Sequence, residues 1–147
     1  MENSNPLVIT NEAYKSLLSS SKWAKFLAII GFIGIGLTVV FGLLTSISMS
    51  TMIEKVPSDN PLFYINGGLI AVIYLVTGFA FLIPLIALYK YASKINRGLQ
   101  VRDQLTIDSA FDNLRKFFKY YGILIIVFLS IYLILFLVLI FTLPFAI

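Results

Sequence analysis

The 147-residue chain contains no cysteine and no histidine. Without cysteine there is no disulfide, no thiolate nucleophile and no Fe–S or Cys–Zn site. Without histidine the commonest general base, metal ligand and proton relay is missing. Charge is scarce as well, at 12% of residues, and none of the seven acidic residues falls in the long apolar runs. Acid–base or metal chemistry would have to come from Asp and Lys between those runs, so the expectation is a non-enzyme with no cofactor and no metal.

What remains is apolar: 59% of the chain is hydrophobic. Three runs carry no charge at all, residues 26–53, 60–89 and 120–147. A charge near the centre of a bilayer costs roughly 2.5–3.5 kcal/mol on insertion scales, and about 20 residues cross a ~30 Å hydrocarbon core. The runs therefore predict an all-α integral membrane protein with three transmembrane helices, about 25–47, 63–89 and 121–143. Residues 1–22 hold Glu2, Asn3, Asn5, Asn11 and Glu12 and no apolar core. A cleavable signal is not expected there, nor is a lipid anchor, and the spans themselves are expected to hold the protein in the lipid bilayer.

Charge sets the expected orientation. The tail before the first span has Lys15, Lys22 and Lys25 against Glu2 and Glu12. The first connector has only Lys55, against Glu54 and Asp59. The second connector, 90–119, has Lys90, Lys94, Arg97, Arg102, Arg115, Lys116 and Lys119 against Asp103, Asp108 and Asp112. Ten of the eleven basic residues thus share one side, and the preference of Lys and Arg for the cytoplasmic side puts the N-terminus in and the C-terminus out. Trp23, Tyr89, Tyr91, Tyr120 and Tyr121 flank the same boundary, at the headgroup depth where amphipathic rings settle.

Thr10 or Asn11 is placed to cap a short N-terminal interfacial helix through Tyr14, Leu17 and Leu18. Pro57, Ser58, Asp59, Asn60 and Pro61 predict a turn between the first two spans. In the second connector Ile107, Ala110, Phe111, Leu114, Phe117, Phe118 and Tyr121 recur at helical spacing, with Asp112 and Lys116 paired at i,i+4. Gly98 is the natural stop for the second helix. The second and third helices are then expected to form one hairpin with a cytoplasmic amphipathic extension and its tip at 98–103.

Gly34, Thr38, Gly42 and Ser46 form an i+4 ridge of small residues, and Gly67, Ala71 and Gly78 make a comparable stripe. Small residues let helix backbones approach closely where lipid removes the hydrophobic drive, so these are the candidate packing faces. Glycine is also frequent in membrane helices, and Gly31 and Gly36 lie off the ridge. The third span offers only Gly122 and Ser130 and is expected to face lipid. Asn66, Gly67, Gly68 and Pro84 interrupt the second span, but broken-helix substrate sites need polar partners that are missing here; a proline kink is the expected result. Lys90, Lys94, Arg97, Arg115, Lys116 and Lys119 are candidate contacts for anionic lipids or a protein partner, at about 1 kcal/mol each for headgroups, unless they serve only to fix topology. No nucleic-acid-binding module is present.

The segments SKWAKFLAIIGFIGIGL (21–37), IPLIALYKYASKI (83–95) and AFDNLRKFFKYYGILIIV (110–127) resemble a domain-of-unknown-function family of small bacterial multi-span membrane proteins. The more specific pieces are juxtamembrane: Lys22-Trp23-Ala24-Lys25, Tyr89-Lys90-Tyr91, and Asn113-Leu114-Arg115 through Tyr121-Gly122. The resemblance implies a helical protein of the bacterial cytoplasmic membrane, with a periplasmic C-terminus on the charge argument, and it carries no catalytic motif. The expected function is a non-enzymatic accessory or scaffolding subunit of a larger inner-membrane complex, for example in protein export or envelope assembly, with other membrane-protein subunits as partners. The alternative is a small homo-oligomeric channel or transporter, for which Thr38, Thr45, Ser46, Asn66 and Thr77 are the available lining.

Overall fold

A computed structural model of the chain describes residues 9–54 and 66–142. It contains three α-helices and, among the described residues, no strand: α1 (Asn11–Ile53), α2 (Gly67–Val101) and α3 (Gln104–Thr142). At 1.5 Å per residue they are about 64, 52 and 58 Å long. All three are long and apolar enough to cross a membrane, and together they fit a membrane protein.

Thr10 starts α1, its side-chain oxygen accepting from the backbone N–H of Ala13 at 3.2 Å. The short N-terminal helix expected from the sequence is not a separate element; residues 11–22 are the first turns of the 43-residue α1. The reason is local: no proline or glycine occurs between residues 11 and 30, and the buried Ser21 directs its hydroxyl to the Leu18 carbonyl at 2.8 Å within the same helix. The predicted turn at 57–61 lies outside the described residues. Asn66 does not interrupt α2 but begins it, accepting from the Leu69 N–H at 2.8 Å.

The α2–α3 turn differs from expectation in one respect. Gly98 does not end α2, which continues to Val101. The left-handed position falls instead on Arg102 (φ 55°, ψ 37°), whose N–H and that of Asp103 both bond the Gly98 carbonyl, a Schellman closure. Gly98 is needed for a different purpose. A Cβ there would lie 2.8 Å from Ile107 Cγ1 and 3.1 Å from the Ile107 nitrogen, so only glycine lets α3 come this close. Asp103 then caps α3, accepting from the Leu105 N–H at 3.2 Å and from the Thr106 hydroxyl.

Helix α2 is central and antiparallel to both neighbours, which pack on its two sides. The buried apolar core lies toward the hairpin tip: Ala28, Leu88, Tyr91, Ile95, Leu99, Ile107 and Ala110, surrounded by Tyr14, Leu17, Leu18, Leu114 and Phe117. All of these core residues but Ala28 and Leu88 lie outside the charge-free runs. Apolar burial from water stabilises at roughly 25 cal/mol per Å², a drive that is absent between apolar helices in lipid. Beyond Phe128 the contrast is complete, with residues 129–137 of α3 all exposed in the chain.

Candidate functional site

The α1–α2 seam is built from small residues facing large ones. A methyl group on Gly42 would overlap the Tyr74 ring, one on Gly31 would overlap the Leu85 side chain, and one on Gly78 would lie 3.2 Å from Val39 Cγ2. At the far end a methyl group on Gly67 would overlap the Ser46 carbonyl, and the Ser46 hydroxyl donates to the Gly67 carbonyl at 2.6 Å. Ala71 is half-buried on the same helix.

Gly34 does not join this seam. Nothing lies within 4 Å of where its Cβ would be. An i+4 ridge turns by about 40° at each step, because four residues at 3.6 per turn overshoot a full rotation. Gly34 is three steps from Ser46 and so points about a third of a turn away. Gly31, off the ridge, takes the seam position; a 3.6-residue repeat traced back from Ser46 through Gly42, Val39 and Ile35 would have found it.

Helices α1 and α3 both lie on α2 but leave a groove between them, a cavity of about 480 Å³. Leu27, Gly31, Gly34, Ile35 and Thr38 form one wall, α2 from Thr77 to Leu88 forms the floor, and Phe117 and Tyr121 of α3 form the other wall. The floor includes Pro84, one of the most deeply buried side chains. The lining is almost wholly apolar, and the Thr38 hydroxyl is turned back onto the Gly34 carbonyl at 2.9 Å. The Phe117 and Tyr121 rings stack at 5.5 Å, and Phe81 stacks on Phe128 at 5.6 Å beside the groove. Phe117, Tyr121 and Pro84 were visible in the sequence as an amphipathic face and a kink, but nothing there showed that they share a cavity.

Basic side chains gather on the half of the helices nearer the hairpin tip. Lys25 Nζ lies 5.8 Å above the Tyr89 ring. Lys94 is turned inward and donates to Ser109 Oγ at 2.7 Å, linking α2 to α3. Lys116 pairs with Asp112 at 2.7 Å, and that hydrogen bond and charge hold the Asp112 carboxyl below its ordinary pKa. Lys90, Arg97, Arg115 and Lys119 are exposed, and among the described residues no carboxylate is in ion-pair range of them.

A second, polar cavity of about 620 Å³ lies at the hairpin tip among Asn11, Tyr14, Gln100, Arg102 and Gln104. Asp103 beside it is held below its ordinary pKa, first by the Thr106 hydroxyl and then by backbone N–H groups and the Arg97 charge. Among the described residues no three carboxylates converge as a metal site would require. Comparison with protein-family models, with curated proteins and with solved structures returns no match for this chain.

Proposed function

We propose that this protein is a non-enzymatic accessory or scaffolding subunit of a larger complex in the bacterial cytoplasmic membrane, N-terminus inside, with the charged helical tip in the cytoplasm. In this reading residues 11–22 of α1 and the 90–119 hairpin form a water-exposed amphipathic bundle that carries the fold's stability. The apolar halves are left as recognition surface. The observation that carries the reading is the far half of α3. Residues 129–137, apolar but for Ser130 and the Tyr132 hydroxyl, are exposed all round, although α3 packs on α2 from Ile107 to Phe128. A transmembrane helix held out from its own bundle has its packing capacity free for another subunit. The charge asymmetry supports the orientation, and the bacterial inner-membrane setting rests on the resemblance of residues 21–37, 83–95 and 110–127 alone.

The polar side chains favour a scaffold over a channel. Of the five candidate lining residues, Thr38 donates to the Gly34 carbonyl, Ser46 donates to the Gly67 carbonyl and Asn66 accepts from the Leu69 N–H, so three are already engaged within the helices. The test is photo-crosslinking from Leu133 in native membranes. The expected product is an adduct with one membrane polypeptide of defined mass, absent when the crosslinker is moved to Leu105 at the tip. Adducts with lipid alone would overturn the reading. Adducts only with a second copy, together with solute flux in liposomes, would replace it by the channel.

A further inference from the structure

We infer that an anionic phospholipid docks on the α1–α2 seam, on the side away from the groove, with its phosphate held between Lys25 and Lys90 and with Lys22 beside them. A helix turns about 100° per residue, so α2 gives each neighbour its own strip. Leu85 and Tyr89 meet α1 at Gly31 and Phe32, whereas Tyr91 and Lys94 meet α3 at Phe111 and Ser109. Two sides of α2 remain between those strips. Pro84 and Leu88 take the one that floors the groove. Ile83, Ile86, Lys90 and Arg97 take the opposite one, and all four are exposed. On α1, Lys25 lies over the Tyr89 ring, and Lys22 and Ile29 share its strip at helical spacing. Leu27, two residues past Lys25, turns the other way and lines the groove.

Depth and charge together select the occupant. Lys25 immediately precedes the charge-free run 26–53 and Lys90 immediately follows the run 60–89. The contact of Lys25 with Tyr89 sets the two cations level, at the edge of the hydrocarbon where headgroup phosphates lie. Lys22 stands about 4.5 Å farther out at 1.5 Å per residue. Among the described residues no carboxylate is in ion-pair range of any of the three. On the hydrocarbon side of the cations the same face exposes Ile29, Ile83 and Ile86. An anionic lipid meets the lysines with its phosphate and the isoleucines with its acyl chains. A zwitterionic headgroup brings an ammonium to a site with three cations and no carboxylate, and an acidic polypeptide matches the lysines but not the isoleucines at hydrocarbon depth. The inference rests on the membrane placement proposed above but not on the partner subunit, so a failed crosslink at Leu133 leaves it standing.

The test uses the full chain in nanodiscs of equal phosphatidylglycerol and phosphatidylcholine, with retained lipid read by native mass spectrometry. A nanodisc has the same lipids on both faces, so any role of these lysines in setting topology does not enter. Phosphatidylglycerol is expected to be retained over phosphatidylcholine. Lys25→Gln combined with Lys90→Gln is expected to reduce that preference about tenfold or more at a parent-like unfolding midpoint. Lys25→Arg combined with Lys90→Arg should preserve it. Arg115→Gln combined with Lys119→Gln removes the same charge from the side of α3 opposite its Ala110–Phe117 packing face, and should retain lipid as the parent does. Equal retention of the two lipids, a parent-like preference in the Lys25/Lys90 glutamine variant, or an equal loss in the Arg115/Lys119 variant would each overturn the inference. A chain that fails to insert would overturn the membrane placement with it, whereas an inserted chain without lipid preference overturns the inference alone.

Discussion

Ser46 and Gly67 meet so closely that the Ser46 hydroxyl bonds the Gly67 carbonyl at 2.6 Å and no side chain fits on Gly67. This contact closes the α1–α2 seam at the end farthest from the hairpin tip. Gly67→Ala is expected to destabilise the protein by about 1–3 kcal/mol through overpacking. Ser46→Ala removes only the hydrogen bond and should cost about 0.6 kcal/mol, the average for such bonds in membrane proteins. Denaturant unfolding in mild detergent, followed by circular dichroism, measures both. A parent-like midpoint for Gly67→Ala would show that the helices do not meet here.

Gly98 and Gly122 provide a matched pair. The first abuts Ile107 and the second has nothing within 4 Å. Gly98→Ala is expected to lower stability by about 1–3 kcal/mol. Gly122→Ala should be neutral or stabilising by up to about 1 kcal/mol through helix propensity. Equal effects in the same unfolding assay would contradict the close approach of α3 to α2 at the tip.

Arg102 holds a left-handed backbone that costs a residue with a Cβ about 1–2 kcal/mol. Arg102→Gly should therefore raise the unfolding free energy by about 1 kcal/mol, and Arg102→Val should lower it. The opposite order would mean that the turn is not formed as described.

Asp103 and Asp112 both have folded pKa values below the ordinary one. The stability they contribute is complete above the unfolded aspartate value, near 4, and is lost as pH falls through the lower folded value. Unfolding midpoints followed from pH 7 to pH 2 should fall in that acidic window. Asp103→Asn combined with Asp112→Asn should flatten the slope there, and an unaltered slope would exclude both groups as its source.

Because the chain lacks cysteine, single cysteines report topology cleanly. Gln100→Cys at the tip should react with an impermeant maleimide only after the cells are opened, and Thr51→Cys at the far end of α1 before. The reverse pattern would invert the proposed orientation.

Helix content and hairpin were legible because they rest on local signals: the charge-free runs, the Thr10 cap, the 3.6-residue repeat of Ile107, Ala110, Leu114 and Phe117, and the Asp112–Lys116 pair. What was not legible depends on which neighbour a face meets. Gly34 and Gly42 look equivalent along the chain, yet one opens onto a groove and the other lies against Tyr74. Gly98 read as a helix stop because glycine favours the left-handed turn, but close approach to Ile107 claimed it and left that turn to Arg102. The continuity of α1 could have been read from the missing breakers, which matter more than the change from polar to apolar composition at Phe26.

The unequal distribution of core and length has an electrostatic consequence. From Lys25 back to Asn11, α1 rises about 21 Å at 1.5 Å per residue. The screening length at physiological ionic strength is about 8 Å. In the proposed membrane setting, Lys25, Lys90 and Lys119 lie within reach of the lipid surface potential, whereas Arg102 and Asp103 stand more than two screening lengths above it. The two ends of the same short bundle are therefore electrically independent. A change in lipid charge would act on Lys25, Lys90 and Lys119 without reaching Arg102 and Asp103.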